Sequence, residues 1–254
     1  MRIRVVASIF PATGKAKRGG KSGITSAKVE GDAMSEKLFT KDVTEQFVDG
    51  LGNGDWDFAI SEMHAMQVMA GVKVDHENKK IYGVTGDEYK AIDFAHHETQ
   101  RGLANLQLVD YLTGQQDRHE GNIYVDNKSG KVSGIDNDMS FSKSMTPKDI
   151  ADMSGFDTKM MGLPAQIDAD VGLRLLFMAD NEYMTALLPN DKDTSSLTED
   201  EMDVAMDRFH ALQAHIDDMY MNDELIYSWN DHTYDEQKDN ESSYMGRGRE
   251  ARED

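Results

Sequence analysis

The chain has no cysteine, which excludes disulfides, cysteine nucleophiles and thiolate metal sites. It also has no apolar run of transmembrane length. The one near the start, Val5 to Phe10 behind Arg2 and Arg4, is too short and too broken for a signal-peptide core. Positive charge is scarce, with 27 basic residues against 47 acidic and a net charge of -20, so nucleic-acid phosphates and anionic membranes are repelled at long range. There is no internal repeat. A Walker A loop is missing too, because Lys15 stands where the glycine five positions before Gly20-Lys21-Ser22 is required. His96-His97-Glu98 lacks the H-E-x-x-H spacing of zinc hydrolases, and Asp126, Asp136 and Asp138 lack the twelve-residue frame of an EF-hand.

What is present is an ordered globular pattern, 39% hydrophobic across periodic segments. Its 17 methionines serve mainly as core filler. Residues 2–10 read as a strand, Lys15 to Lys21 as a flexible basic loop, and Ile24 to Val29 and Leu38 to Lys41 as short strands. Ile60, Met63, Met66 or Gln67, and Ala70 recur at helical spacing, stopped by Gly71. Ile81 to Val84 and Tyr89 to Phe94 suggest a hairpin turning at Thr85-Gly86-Asp87.

From residue 98 the pattern becomes helical. Leu103, Leu106, Val109 and Leu112 form one stripe that ends at Thr113-Gly114. Asn122 to Val125 and Val132 to Ile135 flank the turn signal Asp-Asn-Lys-Ser-Gly. Helices are expected over 170–188 and again after a capping box, Thr198 to Glu201, running through Met202, Ala205, Phe209, Leu212, Ile216 and Met219. Beyond Trp229 the chain is polar and reads as a disordered tail.

The chemistry concentrates between Asp110 and Phe141. Phosphoryl transfer from ATP needs an oriented acceptor hydroxyl and divalent cations on the phosphate oxygens. Hard cations take oxygen ligands. Asp117 on a polar loop, Asn122 five residues on, and Asp136 across a hairpin supply oxygen donors in that order.

The segment Asp117-Arg118-His119-Glu120-Gly121-Asn122 resembles the DRHxxN catalytic loop of phosphatidylinositol 3- and 4-kinases, and is similar to that of HipA-type and other atypical bacterial kinases. Ile135-Asp136 through Phe141 resembles their metal-binding IDxxxxF segment, and the helix segment DYLTGQQ from Asp110 to Gln116 and Gly162-Leu163-Pro164 with Ile167-Asp168 fit the same pattern. The resemblance spans residues 55–217 and is sharp over 110–141. It implies Asp117 as catalytic aspartate, Arg118 and His119 as braces of the loop, and Asn122 and Asp136 as ligands of Mg²⁺ or Mn²⁺. For ATP it implies a glutamate, matched by Glu62, and a lysine, matched by Lys41 with Lys37 and Lys28 as rivals. Gly19, Gly20 and Gly23 are available to cover the phosphates, although they do not form G-x-G-x-x-G.

The expected fold is therefore α+β and protein-kinase-like. A small strand-rich N-lobe (1–95) precedes a mainly helical C-lobe (96–229) and a charged tail (230–254). The implied activity is an ATP- and metal-dependent kinase with a hydroxyl acceptor. A protein substrate of a host or competitor is preferred over lipid, as in a bacterial effector or toxin kinase, cytoplasmic or secreted, with a host activator as a further partner. The alternatives are a phosphoinositide kinase, a nucleotidyl or glutamyl transferase on the same fold, and an inactive binding module.

Overall fold

The computed structural model describes residues 13–18, 21–26, 29, 31–33, 73–75, 80–82, 93–126, 128–153, 162–187, 197–240 and 242–246. The readings at 2–10, Leu38 to Lys41 and the helix from Ile60 to Ala70 lie outside them.

The basic stretch expected as a loop is a hairpin. Strand β1 (Thr13–Arg18) pairs antiparallel with β2 (Lys21–Ser26), from Thr13 opposite Ser26 to Arg18 opposite Lys21. The overlooked signal is Gly19-Gly20, a two-residue connection of the kind that favours tight hairpin turns. A second hairpin joins β4 (Lys73–Asp75) to β5 (Lys80–Tyr82). Ile81 is thus in a strand, with Val74 upstream as its partner, and the rest of the expected hairpin, 83–92, lies outside the described residues. A local four-residue connection, 76–79, is a common hairpin length.

The central element is helix α1 (His97–Thr113). Its start is set by His96, whose Nδ1 accepts from the Glu98 N–H at 3.2 Å and so caps the helix. Its end is set by Gly114, whose left-handed φ of 60° lets its N–H close onto Asp110 and Tyr111 carbonyls. A Cβ there would also lie 3.0 Å from the Arg208 guanidinium. The expected single stripe understates α1. Residues 106–113 are buried without interruption, because the helix is covered on several sides.

One cover is the three-stranded antiparallel sheet of β3 (Asp32–Ala33), β6 (Ile123–Asp126) and β7 (Lys131–Gly134), in the order β3-β6-β7. The β6–β7 hairpin matches the sequence reading to within a residue. Asp126 fastens its turn by accepting from the Lys128 N–H at 3.1 Å and the Ser129 hydroxyl at 2.7 Å, which commits this carboxylate to the loop. Those two bonds, the hydroxyl first, hold its carboxyl below the usual value.

Helices α2 (Pro147–Met153), α3 (Ala169–Leu176), α4 (Asp180–Leu187), α5 (Glu199–Met221) and α6 (Asp231–Lys238) follow. The helix expected over 170–188 is two helices, α3 and α4, separated at Phe177–Ala179. The capping box at Thr198–Glu201 is formed, and Ala205, Phe209, Leu212, Ile216 and Met219 of α5 are all buried. Arg208 on α5 is fully buried. Its Nε donates to the Leu112 carbonyl at 2.9 Å and its Nη1 to Met145 O at 2.7 Å, so a cation meets the carbonyl-rich end of α1. Asp168 begins α3 as its N-cap and accepts from the Trp229 indole at 3.0 Å, a structural role.

The tail expected to be disordered is ordered through residue 246, apart from position 241, which lies outside the described residues. It forms α6 and then buries Tyr244 and Met245. Polarity misled here, because α6 docks through hydrogen bonds, Thr233 Oγ1 to Gln100 Oε1 at 2.7 Å and Gln237 Nε2 to Gln100 O at 3.1 Å.

Tyr183 on α4 stacks on Phe209, ring centroids 4.3 Å apart. Burial pushes its phenol up to about 12, with Arg208 opposing. An unfolded tyrosine ionises near ~10. The folded state therefore keeps a proton that the unfolded chain has lost. This contribution is intact below about pH 10 and disappears as pH rises toward 12. Tyr183→Phe is expected to flatten the alkaline loss of stability by about 2 to 3 kcal/mol over that window, as read from urea unfolding at successive pH values.

Candidate active site

The site is built where the end of α1, the following loop and the end of β7 converge. Arg118, 2% exposed, is the hub. Its Nε donates to Asp110 Oδ2 at 2.9 Å and its Nη2 to Asp110 Oδ1 at 3.0 Å, a two-pronged pair with the last turn but one of α1. Nη1 donates to the Asn122 carbonyl at 3.2 Å and also to the Ile135 carbonyl, and Nη2 reaches Asn137 Oδ1. One planar side chain thus ties together the helix, the DRHEGN loop and the segment bearing Asp136. Only an arginine fork has enough donors in fixed directions to do so. Gly134 leaves the room, since a Cβ there would lie 2.8 Å from Leu106 Cδ1 and 3.0 Å from Arg118 Cζ.

The electrostatics of the pair follow from its burial. Desolvation works to lower the Arg118 guanidinium, and the hydrogen bonds and charge of Asp110 more than reverse it. Burial pushes the Asp110 carboxyl up, against Arg118 and the Tyr244 hydroxyl.

Gln115 makes the second tie. Its Nε2 donates to the Asp136 carbonyl at 2.9 Å, while its Oε1 accepts from the N–H of Gln116 at 2.9 Å and of Asp117 at 3.3 Å. One amide therefore holds the backbones of Asp117 and Asp136 within about 9 Å of each other. Asn122, in the short 3₁₀ turn Glu120–Asn122, donates its Nδ2 to the Asp117 carbonyl at 3.0 Å, which commits the nitrogen and leaves the amide oxygen as a hard donor. His119 braces the loop from within by accepting the Gly121 N–H on Nδ1 at 3.1 Å.

Asp136 is exposed and takes φ 55°. Aspartate is among the few non-glycine residues that accept the left-handed region. The turn is locked by the Ile135 N–H on the Asn122 carbonyl at 2.9 Å and by the Phe141 N–H on the Thr113 carbonyl at 2.6 Å.

Thus Asp117, Arg118, His119, Asn122 and Asp136 are gathered into one loop cluster. Gly23 lies in β2, opposite Ala16. Gly19, Gly20, Lys28, Lys37, Lys41 and Glu62 lie outside the described residues. Sequence reasoning singled out the segment that holds Asp110 and Gln115 but not their roles, and missed Asn137 and Tyr244. Asp110 was legible in principle, as a carboxylate inside an otherwise apolar helical run that must be paired if buried. Tyr244 carried no such signal.

No group of three or more His, Asp or Glu side chains is placed to hold a metal among the described residues. Mg²⁺ is bound through one or two carboxylates together with phosphate oxygens and water, not by an all-protein cage. Asn122 and Asp136 would hold it here.

Residues 86–161 match the family model for phosphatidylinositol 3- and 4-kinase. The matched stretch contains α1, the Asp117–Asn122 loop, the β6–β7 hairpin, Asp136 and α2. No curated protein and no solved structure matches the chain. The match makes residues 86–161, under a third of the 254-residue chain, similar to the phosphatidylinositol 3- and 4-kinases. The mixed helix and sheet of the structure is compatible with such a fold.

Proposed function

We propose that this protein is an ATP- and divalent-cation-dependent kinase that transfers the γ-phosphoryl group to a hydroxyl on another protein. The observation that carries the reading is the double tie of Arg118 and Gln115, which holds Asp117, Asn122 and Asp136 in one cluster beside a family-matched loop. Asp117 orients the acceptor hydroxyl and takes up its proton as the phosphoryl group arrives. Asn122 and Asp136 supply the oxygen donors for Mg²⁺ or Mn²⁺. When bound, the cation neutralises charge on the phosphate oxygens.

The nucleotide would sit between a strand-rich N-lobe, 1–95, and the helical part from 96 onward, with Lys41 and Glu62 on its phosphates. The β1–β2 hairpin supports Gly19 and Gly20 as the covering turn, because they alone connect its strands, with Gly23 in the adjoining strand β2. The net charge of -20 favours a protein acceptor over one embedded in an anionic membrane. A bacterial effector or toxin acting on a host or competitor protein, aided by a host activator, suits the same features. Among the described residues no helix is long and apolar enough to cross a membrane.

The test is incubation with ATP labelled at either the α or the γ phosphate, in extracts of candidate target cells that supply acceptor and activator. γ label is expected on protein, lost with a chelator and restored by Mg²⁺ or Mn²⁺. Transfer of α label would establish nucleotidylation instead, γ label on lipid a phosphoinositide kinase, and ATP binding without transfer an inactive module.

A further inference from the structure

The C-terminal segment reaches the active-site loop through one hydroxyl. Alongside the α6 contacts with Gln100, the Gln107 amide of α1 donates to the Ser242 carbonyl at 2.8 Å. This lays residues 242–246 across the helix and brings in Tyr244, only 4% exposed. Its Oη donates to Asp110 Oδ2 at 2.6 Å, the same oxygen that accepts the Arg118 Nε. Filling the space would need only a phenyl ring. The hydroxyl adds a short, charge-assisted bond to the carboxylate that aims the hub arginine.

We propose that Tyr244 is a positioning residue for the catalytic loop. By fixing the rotamer of Asp110 it fixes Arg118, and through Arg118 the carbonyls of Asn122 and Ile135 that flank the proposed cation donors. The segment 231–246 thereby sets how well the centre is assembled. This rests on the kinase reading for its kinetic consequence, but its structural claim does not need it. A carboxylate buried at 4% exposure that loses one of its donors has no water to replace it and reorients, so the effect travels to the loop and not to the distant helices.

Tyr244→Phe, which keeps the ring, is the variant. Hydrogen exchange of the full chain, resolved by peptide, is expected to accelerate several-fold over 115–123 and 134–137 and to stay unchanged in α5. In the kinase assay kcat is expected to fall roughly tenfold with KM for ATP unchanged, the pattern of a lost transition-state arrangement. Unchanged exchange over 115–123 and 134–137 would overturn the proposal. So would acceleration spread evenly over α1 and α5, which marks a hydroxyl that merely stabilises the domain, or an equal loss in kcat and ATP affinity. If the wild-type protein transfers no γ label, the kinase reading fails, and the exchange pattern alone decides the role of Tyr244.

Discussion

Asp136→Asn is expected to lower phosphoryl transfer by roughly 10³-fold while leaving the fold intact. The magnitude is that of several kcal/mol of charge stabilisation supplied through a cation whose main ligand has gone. Asparagine is the informative replacement because position 136 has φ 55°. Alanine would add backbone strain of its own, whereas asparagine tolerates the left-handed region and removes only the charge. The residue is exposed, so the melting temperature should hold. Asp117→Ala is expected to lose roughly 10²- to 10⁴-fold in kcat with ATP affinity retained, the range for a positioned proton acceptor. A dependence on Mg²⁺ shifted to higher concentration in Asp136→Asn, but unchanged in Asp117→Ala, separates the two roles. Wild-type turnover in either variant would remove that residue from the mechanism.

Arg118→Met is expected to destabilise the protein by about 3 to 5 kcal/mol and to abolish activity. It strands Asp110 as a buried unpaired carboxylate. Asp110 is 4% exposed and Arg118 2%, so solvent screens neither. The reverse variant, Asp110→Leu, strands the guanidinium at similar cost. Combining the two removes both charges, and part of the stability is expected to return, since a buried pair replaced by apolar groups is often near neutral. Activity is not expected to return with it, because the Asn122 and Ile135 carbonyls would still lack their common donor. Urea unfolding of the two single variants and the double variant, each assayed for transfer, measures both halves. A double variant as active as wild type would mean that Arg118 serves stability alone.

Much of the helical part was legible because local rules and tertiary demand agree there. Gly114 stops α1 where a left-handed residue is needed, Thr198 and Glu201 form the box that starts α5, and the Asp126 to Gly130 turn closes β6 onto β7. The proposed catalytic loop was legible for a different reason, since Asp117, Asn122 and Asp136 keep an order and spacing that resembles the DRHxxN and IDxxxxF segments of phosphatidylinositol 3- and 4-kinases. The misreadings share a cause. Basic and glycine-rich residues at 15–21 looked like a loop, and polar residues after 229 looked like a tail, because composition registers solvation and not pairing. A hairpin held by backbone bonds and a helix docked through Gln100 need little apolar surface to form.

The sequence by itself determined the ends of α1, the start of α5, the β6–β7 hairpin and the order of the oxygen donors, the first three of which follow from interactions within a few residues. Only the tertiary structure decided that Asp110, Gln115 and Tyr244 belong to the site. Asp110 lies 8 residues from Arg118, Gln115 lies 21 from Asp136, and Tyr244 lies 134 from Asp110. Contacts across such separations depend on how α1 is buried under the sheet and the C-terminal segment. A local pattern can show that a charged group sits on a helix, but which partner neutralises it is set by the packing that excludes water around it.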